Sequence, residues 1–317
     1  MKLVTFADKL SGRPGALLGS GDVIDLRDSL ADRLDGPLWT IADLLGRGAQ
    51  AMAAASELVS TADADPTHAQ QQGWIVEAAE VTLLGPTGHN PMLWTVGPLY
   101  PAHMREMGLN QTEAESMSIA LRNANSIIGS GESIRLPSAA PDMVDWEGEL
   151  ALVIGKTAHG VSPDDALDHV AGYTIYNDVS AREHTPAYVD ELNQPSGASA
   201  RNATLNLLYK EFPTFSPLGP CITTADEIDA ESLVLTTRVN GEVMQDFRPG
   251  DTTFSLAEAI SFASSIFLLK PGDIISLGTS TGLGYAQQPP RYLRPGDEVA
   301  ITVDGIGTLR NPVVAPG

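Results

Sequence analysis

The chain has 317 residues, a mass of 33.4 kDa and a formal net charge of −21. Apolar residues make up 43%, so the composition is globular, and no stretch approaches the run of about 18 apolar residues that spans a bilayer. The acidic balance repels a phosphate polymer, so neither nucleic acid nor an anionic membrane is expected as a partner. The lone Cys221 excludes an internal disulfide and any Cys-rich zinc site. The N-terminal MKLVTFADKL meets Asp8 too early for a signal-peptide apolar region, and a cytoplasmic location is expected.

Residues 1–37 alternate and turn repeatedly, which predicts short strands. Residues 38–58 are Ala-rich with apolar positions at helical spacing and predict a helix. The polar segment 61–73 contains Pro66 and lacks periodicity, so a loose connection is expected there. VEAAEVTLLGP then reads as the strand entering a second, larger unit. The expected division is a small N-terminal domain over 1–75 and a catalytic domain over 76–317. In the larger unit MLWTVG is a strand, PLYPAHMREMG turns into a short helix, and DWEGELALVIGK is a strand. SPDDALDHVAGY predicts a helix capped by Ser162, with Pro163 just inside and Gly172 at its end. YTIYND is the next strand. The polar run EHTPAYVDELNQPSGASARNATL reads as an irregular surface excursion. Three Pro-Gly-Asp turns punctuate a strand-rich C-terminal third, and LAEAISFASSIFLL lies between them as a helix.

Four constellations carry possible chemistry. Glu147 and Glu149 flank Gly148 at the start of an apolar strand, so both carboxylates project from one face. Asp178 ends the next strand, and a strand–helix–strand unit can bring it beside them. Three carboxylates without His or Cys favour a hard cation, Mg²⁺, Mn²⁺ or Ca²⁺; the spacing equally admits a solvated face paired with Arg or Lys. His103 and Glu106 stand three apart on the short helix, which suits a carboxylate-oriented general base or an ordinary surface pair. Lys210, among Tyr209, Phe212 and Phe215, can stabilise an oxyanion or be a loop lysine. The Gly-rich turn 277–284 brings backbone N–H groups and Thr279 toward a small anion, and it lacks the order of a phosphate or dinucleotide loop. No G-x-S-x-G occurs, which disfavours a serine hydrolase. His68, His89, His159, His169 and His184 have no mutual metal spacing and are expected to be solvated.

The chain resembles the fumarylacetoacetate hydrolase family. The matching runs are VG-x-x-Y-x-x-H-x-x-E at 96–106, SIIGSGESIRLP at 126–137, DWEGELALVIGK at 145–156 and AGYTIYNDVSAR at 171–182. They continue through KEFPTFSPLGP at 210–220, VNGEVMQ at 239–245 and LKPGDIISLGTSTGLG at 269–284, so the likeness spans about residues 80–314. It implies an α+β, β-rich chain with a mixed β-roll catalytic domain and a small N-terminal α/β domain, assembled as a homodimer. It further implies Mg²⁺ or Mn²⁺ held by Glu147, Glu149 and Asp178. By the same match His103 and Glu106 form a water-activating dyad on a mobile lid, Lys210 faces substrate oxygens, and Thr279 meets the substrate carboxylate.

The implied activity is metal-dependent hydrolysis of a C–C bond in a 1,3-dicarbonyl such as an acylpyruvate, a small keto or diketo acid. Decarboxylation, keto–enol isomerisation and 2-keto-3-deoxy acid dehydration share the same enolate chemistry and stand as the alternative. A non-catalytic binding module is the rival from another class; no ligand or dyad position is missing to support it. The chain departs from the family's common residues at Leu99, Arg122 and Thr185, and it is longer between Arg182 and Lys210. All four concern the substrate pocket or its rim, with Arg122 offering a planar fork to a substrate carboxylate or ring. They imply a substrate larger or less polar than a simple acylpyruvate.

Overall fold

The structure is a computed structural model that describes residues 1–8, 12–88, 91–110 and 115–317. Strands β1 (Lys2–Ala7), β2 (Gly12–Leu17) and β3 (Val23–Asp25) form an antiparallel meander. A turn of helix, α1 (Leu26–Ser29), follows under the Asp25 cap. The single helix expected over 38–58 is two, α2 (Ile41–Gly46) and α3 (Ala49–Ala64). Gly48 divides them, because its φ of +78° lies in the left-handed region. Helix α3 runs on into the segment expected to be loose, and α4 (Pro66–Gln71) completes it. The Asp65 side chain accepts from the His68 N–H and Pro66 occupies the first turn, so the polar residues there are the outer face of a capped helix. The strand expected over 76–86 shrinks to β4 (Ile75–Val76), a 3₁₀ turn at Ala78–Glu80, and a bridge from Leu83 to Phe6.

The chain continues with β5 (Leu93–Gly97), α5 (Pro101–Glu106) and β6 (Ser118–Arg122). The short strands β7 (Ile127–Ile128), β8 (Ile134–Arg135) and β9 (Val144–Asp145) lead to β10 (Gly148–Ile154), which is buried throughout. Helix α6 (Pro163–Ala166) is shorter than its sequence signals, and a 3₁₀ turn replaces its second half. Gly172 is no cap: it lies inside β11 (Val170–Asn177), where a Cβ would stand 2.2 Å from the Thr223 carbonyl. After β12 (Ser180–Ala181), the expected irregular excursion is a pair of helices, α7 (Thr185–Leu192) and α8 (Ala200–Leu208). Glu191 joins them by accepting from Ser199 N and Asn202 Nδ2, so local polar bonds replace the apolar pattern that would have announced the helices.

The remaining elements are β13 (Ser216–Thr224), β14 (Leu235–Val239), β15 (Glu242–Phe247), α9 (Leu256–Ile266), β16 (Ile274–Ser276), β17 (Glu298–Val303) and β18 (Gly307–Val314). A capping box between Ser255 and Glu258 starts α9. The large sheet runs β4-β3-β2-β1-β13-β11-β10-β16-β5-β6, with β7 beside β13; a second runs β15-β14-β17-β18-β8. Most pairings are antiparallel, while β5–β16, β7–β13 and β8–β18 are parallel, so the architecture is α+β, strand-rich and mixed. One core fills the space between the two sheets, around Trp146, Leu150, Ile175 and Ile301. The other joins Leu3, Leu44 and Leu58 of the first 75 residues to Ala151, Tyr176 and Ile274 of the large sheet. No helix among the described residues is long and apolar enough to cross a membrane.

Candidate active site and metal centre

Strand β10 starts between the two glutamates. Gly148 separates them because a Cβ there would lie 2.3 Å from Thr237 Oγ1, and its N–H donates to Gln245 Oε1 at 2.9 Å. Antiparallel pairing sets Gly148 opposite Asn177, and the Asp178 N–H donates to the Glu147 carbonyl at 2.9 Å. This register carries Asp178 to the glutamates. Glu147, Glu149 and Asp178 are all buried, and one carboxylate oxygen of each lies within 4.8 Å of the others.

Three cations surround this acidic floor. Lys210 Nζ lies 2.6 Å from Glu147 Oε2 and 2.6 Å from Asp178 Oδ2. Arg122 forks onto Asp178 through Nε and Nη2, each at 3.0 Å, and reaches Glu211 with Nη1 at 3.3 Å. Arg182 bonds Glu147 Oε1 at 2.6 Å and Asp145 Oδ2 at 3.0 Å. Among the described residues Glu149 is bonded by the Ser276 hydroxyl and forms no ion pair. Burial pushes all three carboxyls up. For Asp178 the charges of Arg122 and Lys210 more than offset this and hold it well below the usual range. Lys210 and Arg182 do the same for Glu147. For Glu149 burial and the adjacent Asp178 and Glu147 act together, and its pKa rises well above normal.

The donor set fits a divalent cation. Three oxygen ligands with no nitrogen or sulfur suit Mg²⁺ or Mn²⁺, and Ca²⁺ as a substitute. Such a cation would take the place of the proton that Glu149 holds, with Glu147, Glu149 and Asp178 as its ligands.

Pro101 sets the first turn of α5, which hangs His103 over the floor. The side chain is half-buried, and its buried Nδ1 has no hydrogen-bond partner. Burial is the main cause that lowers its pKa to about 4; Glu147 pulls the other way, and Arg182 and Lys210 add to the lowering. The Glu106 carboxylate does not engage it. It accepts instead from Gly282 N at 2.8 Å and Leu283 N at 3.4 Å. Asp145 takes the next two amides, Gly284 N at 2.8 Å and Tyr285 N at 3.1 Å. The end of the Gly-rich turn thus gives four consecutive amides, 282–285, to two protein carboxylates.

The two residues expected to hold substrate are engaged with the strands that carry the carboxylate triad. Arg122 grips Asp178, while Thr279 Oγ1 donates to the Gly148 carbonyl at 2.8 Å and accepts from Gln245 Nε2 at 2.9 Å. Both still line the cavity, of about 260 Å³, together with His103, Lys210 and the triad. A larger crevice of 480 Å³ lies beside the N-terminal strands, and Glu132 is the only ionisable residue described in its lining.

Sequence reasoning missed Asp145, Arg182, Gln245 and Ser276. Arg182 meets Asp145 only because β12 pairs with β9, setting Ser180 opposite Asp145. Ser276 reaches Glu149 because β16 lies beside β10. Of the other histidines, His68 and His159 are exposed and His169 and His184 half-buried, and all four also make local contacts. His159 bonds the Ser264 carbonyl, His169 that of Lys156, and His68 and His184 meet Trp74 and Tyr209 edge-on. His89 lies outside the described residues.

A family model described as the C-terminal domain of fumarylacetoacetate (FAA) hydrolase matches residues 92–314. Mitochondrial oxaloacetate tautomerase FAHD2A of Bos taurus is 38% identical over 241 residues, 76% of this chain and 72% of its own length. Oxaloacetate tautomerase YisK of Bacillus subtilis is 35% identical over 219 residues, 69% of this chain and 68% of its own. Among solved structures, a fumarylacetoacetate hydrolase from Exiguobacterium antarcticum superposes with a TM-score of 0.75 at 28% identity, covering 99% of each chain. A 5-carboxymethyl-2-hydroxymuconate delta-isomerase from Mycobacterium smegmatis gives a TM-score of 0.69 at 30% identity, covering 100% of each.

Proposed function

The chain belongs to the fumarylacetoacetate hydrolase family, and from that premise we propose that it interconverts the keto and enol forms of a small 2-oxo acid. Toward the enol, one C–H bond beside the ketone breaks, the ketone oxygen gains the proton, and the C–C bond becomes C=C. Isomerisation, the alternative to C–C hydrolysis, is favoured because relatives at 35–38% identity are oxaloacetate tautomerases. The structural observation that carries the choice is the position of Glu106, closed on the Gly282 and Leu283 amides. Activating water asks for an imidazole made more basic by its carboxylate, whereas the C–H beside a polarised ketone is a stronger acid than water and asks less of the base.

His103 supplies that nitrogen. Its Nδ1 is free and its lowered pKa keeps it neutral near pH 7, so it can take the carbon-bound proton and deliver it to oxygen. Lys210 places a positive charge at the rim of the triad, where an enolate oxygen develops. Arg122 and Arg182 fix Asp178 and Glu147, and Ser276 fixes Glu149, so the floor is organised before substrate arrives. When bound, a divalent cation on Glu147, Glu149 and Asp178 supplies Lewis-acid polarisation of the substrate oxygens.

The substrate would be a small keto or diketo acid. Exposed Leu121, Leu207 and Leu208 beside the edge strand β6 support a homodimer, to be read by sedimentation. The lone buried thiol of Cys221 suits a reducing compartment such as the cytoplasm. The test of activity is ultraviolet decay of enol oxaloacetate with Mn²⁺ present, beside an assay for acetylpyruvate cleavage. Accelerated enol decay, lost in His103→Ala with Mn²⁺ binding retained, is the expected result. Acetylpyruvate cleavage without accelerated enol decay would return the hydrolase reading.

A further inference from the structure

A second chamber of about 290 Å³ borders the cavity above the acidic floor, and the two share Pro98, Met104, Leu109, Tyr188 and Leu192 as lining. One wall is Met104 of the helix that carries His103, with Met107 and Leu109 just after it; the other is Tyr188, Val189 and Leu192 of α7. The two walls are fastened together. Asn193 Oδ1 accepts from Asn110 N at 2.8 Å, and Asn193 Nδ2 donates to the Gly108 carbonyl at 2.8 Å. Helix α7 is therefore a built part of the site, tied to the tail of α5 at its C-terminal end.

Charge is distributed unevenly across the two chambers. The three cations of the inner cavity each face carboxylates of the protein. In the outer chamber no Lys, Arg or His lines the wall among the described residues, and the one ionisable group is Glu115. A second carboxylate at the far end of a substrate would meet apolar side chains and a like charge; a hydrocarbon would meet methionine, leucine and tyrosine.

We propose that the preferred substrate is an enolisable 2-oxo acid with a single carboxylate and an uncharged apolar tail, the tail lying between α5 and α7. The chemistry at the floor rests on the tautomerase reading; the tail site rests on the two chambers and their lining.

Calorimetric titration of the full chain with unreactive oxamates in Mn²⁺ buffer tests the site without turnover. The probes are oxamate, N-butyloxamate and N-(3-carboxypropyl)oxamate. Each methylene fully buried tightens binding by about fourfold, so N-butyloxamate should bind at least about tenfold tighter than oxamate, and the carboxypropyl probe no tighter than oxamate. Leu192→Lys, at the partly exposed end of α7, should reverse the order of the two tailed probes. Butyl and parent oxamate binding within about twofold of each other, or the carboxypropyl probe matching the butyl one, would overturn the proposal. Enol decay of phenylpyruvate and oxaloacetate, run alongside, separates the two readings. A butyl gain with neither enol accelerated supports the tail site and sinks the tautomerase. Accelerated oxaloacetate decay with no butyl gain sinks the tail site and leaves the tautomerase standing.

Discussion

Replacing Glu149 with glutamine should stabilise the metal-free protein at neutral and alkaline pH while abolishing tight metal binding. Glu149 is the buried member of the triad without a cationic partner, and the Ser276 hydroxyl can bond an amide oxygen as well as a carboxylate. Its neighbours Glu147 and Asp178 approach within 4.8 Å. At an effective dielectric of about 20, two unit charges about 5 Å apart repel by about 3 kcal/mol. Lys210 offsets part of this, so the net relief is of order 2 kcal/mol, and with an unfolding entropy of about 0.7 kcal/mol/K for a chain of this length, Tm rises by about 3 °C. A carboxyl whose folded pKa is raised keeps a proton that the unfolded chain has released. Stability of the metal-free parent therefore falls as pH rises from about 4.3, the unfolded value, through the folded value. Glutamine lacks that fall, so parent and variant should coincide near pH 4.3, diverge as pH rises toward the folded pKa and stay apart by a constant amount above it. Thermal melts in chelator from pH 4.3 to 8.5, with Mn²⁺ titrations at pH 7.5, make the measurement. A Tm offset that does not grow with pH, no offset at all, or parental Mn²⁺ affinity would refute the reasoning.

Lys210→Met should lower metal-free stability by about 3–5 kcal/mol, because Glu147 and Asp178 lose their shared ammonium; Mn²⁺ should then raise the variant's Tm more than the parent's. Glu106→Ala should leave Mn²⁺ affinity unchanged but speed hydrogen exchange of the Gly282 and Leu283 amides by about 10–100-fold, the equivalent of one charge-assisted bond. Unchanged exchange would mean that the carboxylate does not hold the turn. In the metal-free protein the His103 ring should keep neutral-imidazole NMR shifts from pH 7 down to about 5, since its folded pKa is lowered to about 4. The unfolded chain binds that proton first, so this residue's contribution to stability grows as pH rises from about 4 to 6.5. Titration of the ring near 6.5 would contradict its burial.

Local signals carried some parts of this protein to completion. The Glu147-Gly148-Glu149 pattern needs only strand periodicity to put two carboxylates on one face, and the structure adds that no larger residue than glycine fits between them. Strand β10 and helix α9 are legible because a long apolar run and a capping box are properties of contiguous residues. Helices α7 and α8 were hidden for the converse reason. Their sequence is polar, and what makes them helices is a cap at Ser199 and the bond from Glu191 across the turn. Segment 61–73 misled in the same way, since a helix with one exposed face shows little apolar period when its buried side is alanine.

Residue chemistry alone left the three carboxylates, His103 and Lys210 open between a site and solvated surface; the family resemblance gathered them, and the fold lines one cavity with them. What each of them faces was decided by pairing between strands far apart in the chain. Strand register set Arg182 on Glu147 and Ser276 on Glu149, and the packing of α5 against the Gly-rich turn sent Glu106 to two amides instead of to His103. A spacing of three residues fixes which helix face two side chains share. It cannot fix which of several nearby donors wins a carboxylate, because that competition is between groups 176 residues apart that only the folded chain brings within 2.8 Å.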